Sequence, residues 1–259
     1  MNEIKISKRS RYEYEKSKYD LKKIYRAGVC IYNPNDYVVH AGVLKRYEGA
    51  SVIAHIPYGV VEIADGAFAG YDKLAEVIIP DTVTTIGEKA FYGCTSIEYI
   101  DIPASVTEIK HKAFYGCTSL EHIGFEKSDK SLYIESGAFQ LCSALEAIDT
   151  KRDIEYIGKY AFAECFSLRR LILRNKDQIF IDESAFRNCH ALAHAEFYSV
   201  LSFKYPFLDH CRTASFSRLR RVILNKRSYV KNTVCCGVPI SRLGGKCRNC
   251  GLKHKKRSF

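Results

Sequence analysis

The hydrophobic positions of this chain recur at a fixed interval along most of its length. An Ala-Phe pair returns six times, and its phenylalanines are separated by 23, 23, 25, 23 and 24 residues. A period of roughly 20–50 residues indicates stacked structural repeats, in which each repeat contacts only its neighbours. One coil of this length cannot bury its own apolar side, so the aromatic rings are predicted to form an internal column. They are Phe68, Phe91, Phe114, Phe139, Phe162 and Phe186.

Cysteine follows the same phase, three residues after the Phe in five of the six copies. One cysteine per coil belongs to the repeat, so we interpret these residues as small buried side chains with a weak S–H donor rather than as metal ligands or disulfides. They are Cys94, Cys117, Cys142, Cys165 and Cys189.

Each copy continues with Leu or Ile six residues after the Phe, where a short strand is predicted to begin. Successive side chains of a strand point to opposite faces. In the third copy we therefore expect Leu120, Ile123 and Phe125 to point inward. Glu121, His122 and Gly124 are then expected to point outward.

Several positions of each copy resemble the BspA-type leucine-rich repeat. The stretches TVTTIGEKAFYGCTSIEYIDIP and SVTEIKHKAFYGCTSL match it closely, over about residues 52–197 and more weakly to 224. The resemblance implies an α/β repeat solenoid, strand-rich and right-handed, with about six to seven coils and a parallel sheet on its concave side. It also implies binding to other macromolecules rather than catalysis, and many members are bacterial surface proteins.

The chain divides into four predicted parts. Residues 1–28 form a basic arm or a short helix, and 29–54 form an N-terminal cap. The cap contains a β-hairpin, because Tyr37–Val39 and Val43–Tyr47 are β-rich runs around a Gly. Residues 55–228 hold the repeats, which a degenerate seventh copy closes, and 229–259 form a basic, cysteine-rich tail.

Charge is distributed unevenly over these parts. The net charge is +5 over residues 1–28, −8 over 29–199 and +14 over 200–259, within a total of +11. Such asymmetry bears on partners rather than on fold.

The outward strand positions define a predicted protein-binding ladder on the concave side, which solenoids commonly use for binding. The ladder is acidic in its early rungs and basic in its later ones, so a partner should carry the opposite polarity. The alternative is that these residues are solvated strand faces without a partner. The early residues are Glu76, Glu98, Tyr99, Asp101, Glu121, His122, Glu146 and Asp149, and the later ones are Arg169, Arg170, His194, Arg220 and Arg221.

The tail contains a candidate structural zinc site. Cys247 and Cys250 form a Cys-x-x-Cys knuckle, a spacing that can direct two thiolates at one zinc ion. Cys235 and Cys236 lie upstream, and the whole resembles a small C-terminal zinc ribbon. The first knuckle departs from Cys-x-x-Cys, so His254 could replace Cys235 as the fourth ligand, or the ribbon could have lost its metal. A ribbon beside basic residues also raises nucleic-acid binding through the phosphate backbone as an alternative function.

Other function classes find little support in the sequence. No run of 18 apolar residues is present, so a membrane span is not expected. The charged N-terminus lacks the apolar core of a signal peptide, and we expect a cytoplasmic protein. Phosphate-binding, nucleophile-elbow and zinc-protease motifs are absent, so we do not expect an enzyme.

The zinc hypothesis predicts about one zinc ion per purified chain, because one tetrahedral site needs four ligands. Elemental analysis of the protein beside a Cys247→Ser/Cys250→Ser variant tests it. The metal should be lost in the variant, whereas absence of zinc from both proteins would indicate a degenerate ribbon.

Overall fold

The computed structural model describes residues 33–176, 179–182 and 184–196, and the backbone of residue 197 and of short segments at 201–203, 221–224, 234–235, 238–239, 245–246 and 253–254. Its strands are, in chain order, β1 (Tyr37–His40), β2 (Val43–Tyr47), β3 (Ile53–His55), β4 (Glu62–Ile63), β5 (Glu76–Ile78), β6 (Thr85–Ile86), β7 (Tyr99–Ile102), β8 (Glu108–Ile109), β9 (His122–Phe125), β10 (Leu132–Ile134), β11 (Ala147–Asp149), β12 (Ile154–Ile157), β13 (Arg170–Leu173), β14 (Ile179–Ile181), β15 (His194–Phe197), β16 (Leu201–Phe203), β17 (Arg221–Leu224), β18 (Val234–Cys235), β19 (Val238–Pro239), β20 (Gly245–Lys246) and β21 (Lys253–His254).

The chain winds through two long sheets as a β-solenoid of about seven turns. The eight-stranded sheet has the order β17-β15-β13-β11-β9-β7-β5-β3. The nine-stranded sheet has the order β1-β2-β4-β6-β8-β10-β12-β14-β16, and all its pairs are parallel except β1 with β2. Each turn contributes one strand to each sheet, so equivalent residues of successive repeats lie side by side.

The predicted solenoid and coil number are confirmed, but the α/β class needs correction. Within the described residues the one helix is a 3-10 turn at Pro34–Asp36, and the second layer is a sheet. The stretch Val83–Ile86 explains why the second layer is a sheet and not a row of helices. Its Val and Thr residues are β-branched and favour extended backbone. Val83 and Ile86 are fully buried there.

The predicted phenylalanine column is confirmed. All six rings are completely buried, and neighbouring centroids lie 4.8, 4.9, 5.0, 5.1 and 5.4 Å apart along the stack. The ring planes of neighbours differ by at most 13°. Such aromatic pairs contribute roughly 0.5–1.5 kcal/mol beyond the burial of their area. The column therefore ties each coil to the next.

The five phased cysteines are buried free thiols, as predicted. Cys94 donates its S–H to the carbonyl oxygen of Phe68 at 3.0 Å, and Cys117 donates to that of Phe91 at 3.2 Å. Burial raises the pKa of Cys94 to about 12, so this thiol stays protonated at neutral pH. Each thiol thus satisfies a carbonyl of the preceding coil.

Strand faces alternate as the sequence predicted. Ile123 and Phe125 of β9 are buried, and so is Leu120, two residues before the strand begins. His122 and Gly124 of the same strand are only partly buried. The inward residues join one continuous core that runs the length of the stack. The outward residues are left to form a surface.

A buried arginine holds the insertion at residues 125–132. Arg152 is 2% exposed, and its two terminal nitrogens donate to the carbonyl oxygens of Pro103 at 3.1 Å and Lys130 at 2.9 Å. The Ser128 hydroxyl also donates to the Ala104 carbonyl at 2.7 Å. Charge-assisted hydrogen bonds are the stronger kind, so the insertion is anchored to the neighbouring coils.

The predicted N-terminal hairpin is present as β1 and β2, with Tyr37 paired to Tyr47. Its turn uses Ala41 and Gly42 at φ of 49° and 75°, a conformation that Gly adopts without strain. Tyr47 is fully buried, and its ring centroid lies 5.0 Å from that of Phe68. The hairpin therefore continues the aromatic column, while the predicted domain boundaries remain predictions.

Beyond the sixth repeat, β17 pairs with β15 in parallel, from His194 with Arg221 to Phe197 with Leu224. The backbone thus adds a further rung where a seventh, degenerate repeat was predicted. Residues 1–32, which hold the predicted arm, lie outside the described part of the chain.

Replacing Phe114 by Ala should lower the free energy of unfolding by roughly 3–5 kcal/mol, because it removes a ring from the middle of the column. Chemical denaturation measures the change. The control is Thr118→Ala, at an exposed position of the same coil, which should stay within about 0.5 kcal/mol of the parent protein. Similar effects for the two variants would contradict a column that carries stability.

Candidate protein-binding face

Most of the predicted ladder residues lie on or beside the outer face of the eight-stranded sheet, which we call the ladder face. Three parallel rows cross it, one set by the turn before each strand and two by the outward residues of the strands. Neighbouring strands of a sheet lie roughly 4.8 Å apart, so residues of one row are close neighbours. The structure brings together most of the predicted residues in these rows.

The first row is acidic and then changes sign. The backbone amide of Glu121 donates to the carbonyl of Glu98 at 2.9 Å, and that of Glu146 donates to Glu121 at 3.1 Å. The amide of Arg169 continues the series by donating to Glu146 at 2.8 Å. Three carboxylate side chains therefore occupy successive rungs, and an exposed arginine follows them.

The second row runs through paired strand residues. Glu76 is paired with Tyr99, Tyr99 with His122, and Arg170 with His194. The rings of Tyr99 and His122 stack with centroids 5.3 Å apart. This row therefore places an aromatic pair between its acidic start and its basic end. Ala147, which the sequence reading omitted, stands between His122 and Arg170.

In the third row, the position of the Asp101 side chain depends on the glycine at position 124. Asp101 pairs with Gly124 on the next strand. A Cβ atom at Gly124 would lie 1.9 Å from Oδ1 of Asp101, so the glycine leaves the space that the carboxylate occupies. Any larger residue at position 124 would displace that side chain.

Two residues of the ladder face were missed by the sequence reading. Arg174 forms an ion pair with Asp149, with its Nε 2.9 Å from Oδ1. Glu196 lies 2.7 Å from Nε2 of His194, in the section that was predicted to be basic. The first contact joins two coils, whereas the second joins residues two positions apart on β15. They make the change of sign along the ladder less complete than the sequence suggested.

Some predicted residues cannot be placed on the face. Arg221 belongs to β17, of which the backbone alone is described, and Arg220 lies outside the described residues. The same holds for the predicted zinc ligands. For Cys235 in β18 and His254 in β21 the structure describes the backbone alone. Cys236, Cys247 and Cys250 lie outside the described residues. The zinc site therefore stays a prediction.

The opposite face, on the nine-stranded sheet, carries an aromatic row that the sequence reading also missed. Tyr133 is paired with Tyr156, and Tyr156 with Phe180. Tyr133 and Phe180 are 41% and 46% exposed. The Tyr133 hydroxyl donates to the Glu155 carboxylate at 2.6 Å, which raises the pKa of the tyrosine.

Within the part of the chain that the structure describes, no group of three or more His, Cys, Asp or Glu side chains could hold a metal ion. Nor does any helix among those residues have the length and apolar character to cross a membrane. The chemistry of the ladder face is therefore that of charges, hydrogen bonds and aromatic rings.

Comparison with known families identifies the repeat. The model of the BspA type leucine rich repeat region matches this chain in six copies, over residues 53–132 and 125–217. The chain belongs to this family. BspA-type repeat proteins are generally non-catalytic, in keeping with a surface built from repeated positions.

Solved structures of bacterial leucine-rich repeat proteins are similar to this chain. The leucine rich repeat protein of T. pallidum matches with a TM-score of 0.55 and 27% identity, over 66% of this chain and 85% of that one. A leucine rich cell surface protein from Faecalibacterium prausnitzii matches with a TM-score of 0.49 and 25% identity, over 66% and 54% of the two chains. A leucine-rich repeat protein from Bacteroides ovatus matches at 0.39 and 27%, over 66% and 53%. No curated protein matches.

Proposed function

We propose that this protein is a non-catalytic binding module, and that its ladder face binds a partner protein. The observation that carries the proposal is the row of Glu98, Glu121 and Glu146, which the repeat sets on successive rungs. Aligned carboxylates create a negative potential that favours a basic segment of a partner. Extended surfaces of this kind are what solenoid proteins use for binding.

The adjoining residues add contacts of a different kind. The stacked pair of Tyr99 and His122 offers an aromatic surface beside the acidic row, and aromatic residues are enriched in protein interfaces. Arg169 and Arg170 are both exposed at the next rungs. A partner that meets the whole face would therefore place basic residues near Glu121 and acidic residues near Arg170.

Electrostatic complementarity of this type favours rapid and selective association more than high affinity. The ion pair with Arg174 partly neutralises Asp149, so this carboxylate contributes less to the negative potential of the face than an unpaired carboxylate would. The free energy of binding should accordingly depend most on the first row.

A second candidate function concerns the C-terminal tail. Residues 200–259 carry fifteen Lys and Arg against one acid, a charge that suits contact with nucleic-acid phosphates. A structural zinc ion held by Cys235, Cys236, Cys247 and Cys250 would support that role. Binding through this tail should weaken steeply with salt, whereas a protein complex of the ladder face should weaken less.

Reversing the first row in the variant Glu98→Lys/Glu121→Lys/Glu146→Lys should weaken binding of a partner captured by the parent protein by at least about tenfold, or 1.4 kcal/mol. The reason is that like charges would then face each other in the complex. Affinity measured by calorimetry with the purified partner gives the change.

The matched control reverses three glutamates outside the ladder face, Glu108→Lys/Glu135→Lys/Glu155→Lys, and changes the net charge equally. It should leave the affinity within about twofold, because only charges near the contact contribute strongly. Equal losses in both variants would show that net charge, and not this face, governs the interaction.

A further inference from the structure

The aromatic row of the nine-stranded sheet is bordered by carboxylates. Tyr133, Tyr156 and Phe180 stand on the neighbouring strands β10, β12 and β14. One coil earlier the row continues with Glu108, which is paired with Tyr133. Glu155 lies beside the row and is exposed. Apolar rings and negative charge therefore share one surface, on the sheet that does not carry the ladder face.

A β-bulge sets Glu155 beside Tyr156 on the same face. The register shifts between Leu132 and Tyr133, so Glu155 is an extra residue of β12 between the partners of these two. Consecutive side chains of a regular strand point to opposite faces. The first and last residues of β12 are buried, whereas Glu155 and Tyr156 between them both reach solvent. Bulges redirect side chains in this way, and they often do so next to functional sites.

Two further carboxylates border the row on its other side. Glu135 follows β10 and Asp182 follows β14, each directly after a buried isoleucine. Because side chains alternate between the two faces of a sheet, both carboxylates point outward. One oxygen of Asp182 accepts from the Ser184 hydroxyl at 2.6 Å, which holds this carboxylate in its turn. Acidic groups thus lie on both sides of the rings.

The lysines that follow β8 and β12 direct their charge towards other groups. The amine of Lys110 lies 3.7 Å from the Glu62 carboxylate, and that of Lys159 lies 5.0 Å from the centre of the Tyr160 ring. Among the described residues, no ion pair involves the three glutamates that border the row. The potential at the row is therefore negative and favours a cation.

The rings of the row are more open than those of the core. The centroids of Tyr133 and Tyr156 are 6.1 Å apart, and their planes differ by 32°. Neighbours in the phenylalanine column lie at most 5.4 Å apart and differ by at most 13°. Part of each outer ring face can therefore be reached by a partner.

We propose that these residues form a second protein-binding surface, which takes an extended, arginine-bearing segment of a partner protein. A planar guanidinium can lie against an aromatic ring and donate two hydrogen bonds to a carboxylate. Lysine carries a point charge without a plane, so it gains less from the rings. This surface does not depend on the function proposed for the ladder face. We call it the aromatic–acidic face, and its members are Glu108, Tyr133, Glu135, Glu155, Tyr156 and Phe180.

Two capped peptides of equal charge test this preference, Arg-Gly-Arg-Gly-Arg and its lysine counterpart. An extended chain directs alternate residues to one side, so all three cations can face the surface. Calorimetry with the full chain at low ionic strength should give the arginine peptide at least about fivefold higher affinity. Equal affinity for the two peptides would overturn the proposal.

Removing the rings should remove the preference for arginine. The variant Tyr133→Thr/Tyr156→Thr/Phe180→Thr introduces the residue that stands at Thr85 in the same row, so the propensity for strands is kept. Its affinities for the two peptides should agree within about twofold. A preference that survives in this variant would show that the rings take no part.

The matched control removes three exposed aromatic side chains from turns outside this face, in the variant Tyr58→Thr/Tyr92→Thr/Phe166→Thr. It should keep the preference for arginine. Loss of the preference in both triple variants would overturn the assignment to this face.

The single variant Glu155→Gln tests the charge beside the rings, and it serves if the threonine variant fails to fold. Its amide oxygen can still accept from Tyr133, and its affinity for the arginine peptide should fall at least about threefold. The ladder variant Glu98→Lys/Glu121→Lys/Glu146→Lys should keep the preference for arginine. If the ladder variant alone loses it, the arginine site belongs to the ladder face.

Two other occupants of the row would be recognised by the same variants. A neutral glucan oligosaccharide that binds the parent protein, and not the threonine variant, would identify a platform for sugars. Self-association in sedimentation that the threonine variant abolishes would identify a second copy of the chain. Either result without a preference for arginine would overturn the proposal.

Discussion

The stacking of one coil on the next is the interaction on which this structure depends. A single turn of about 23 residues has too little apolar surface to fold alone. The phenylalanine rings, about 5 Å apart along the column, give each coil a partner on both sides. The buried thiols of Cys94 and its equivalents then satisfy carbonyl groups between the rings. Stability in such a stack is a sum over neighbouring pairs, and the terminal coils need covers of their own.

The same constraint creates the surface. Because the core sets residue i of one coil beside residue i+23 of another, any outward side chain becomes one rung of a row. The buried core positions accept few residue types, whereas the outward positions can carry charged residues, aromatic residues or glycine. Gly124, for example, leaves room for the Asp101 carboxylate of the neighbouring coil. The ladder face and the row of Tyr133, Tyr156 and Phe180 are two outcomes of this one arrangement.

The parts of the fold that could be predicted are those that repeat. The Phe and Cys columns, the strand faces around Ile123 and the hairpin follow from local patterns. The nine-stranded sheet was not predicted, because strands as short as Thr85–Ile86 are too brief to show an alternation of hydrophobic and polar residues. Arg152 and Arg174 were missed for another reason, since their partners lie one or more coils away. A side chain that occurs in one copy only does not contribute to the repeat pattern, so the pattern does not predict its contacts.

Coupling between neighbouring rings of the column is the most direct test of this account. A double-mutant cycle with Phe91→Leu and Phe114→Leu, whose ring centroids lie 4.9 Å apart, measures it from free energies of unfolding. We expect a coupling of roughly 0.5–1.5 kcal/mol for this pair. The distant pair Phe91→Leu and Phe162→Leu should be additive within about 0.5 kcal/mol. Additivity in both cycles would contradict the claim that ring stacking joins the coils.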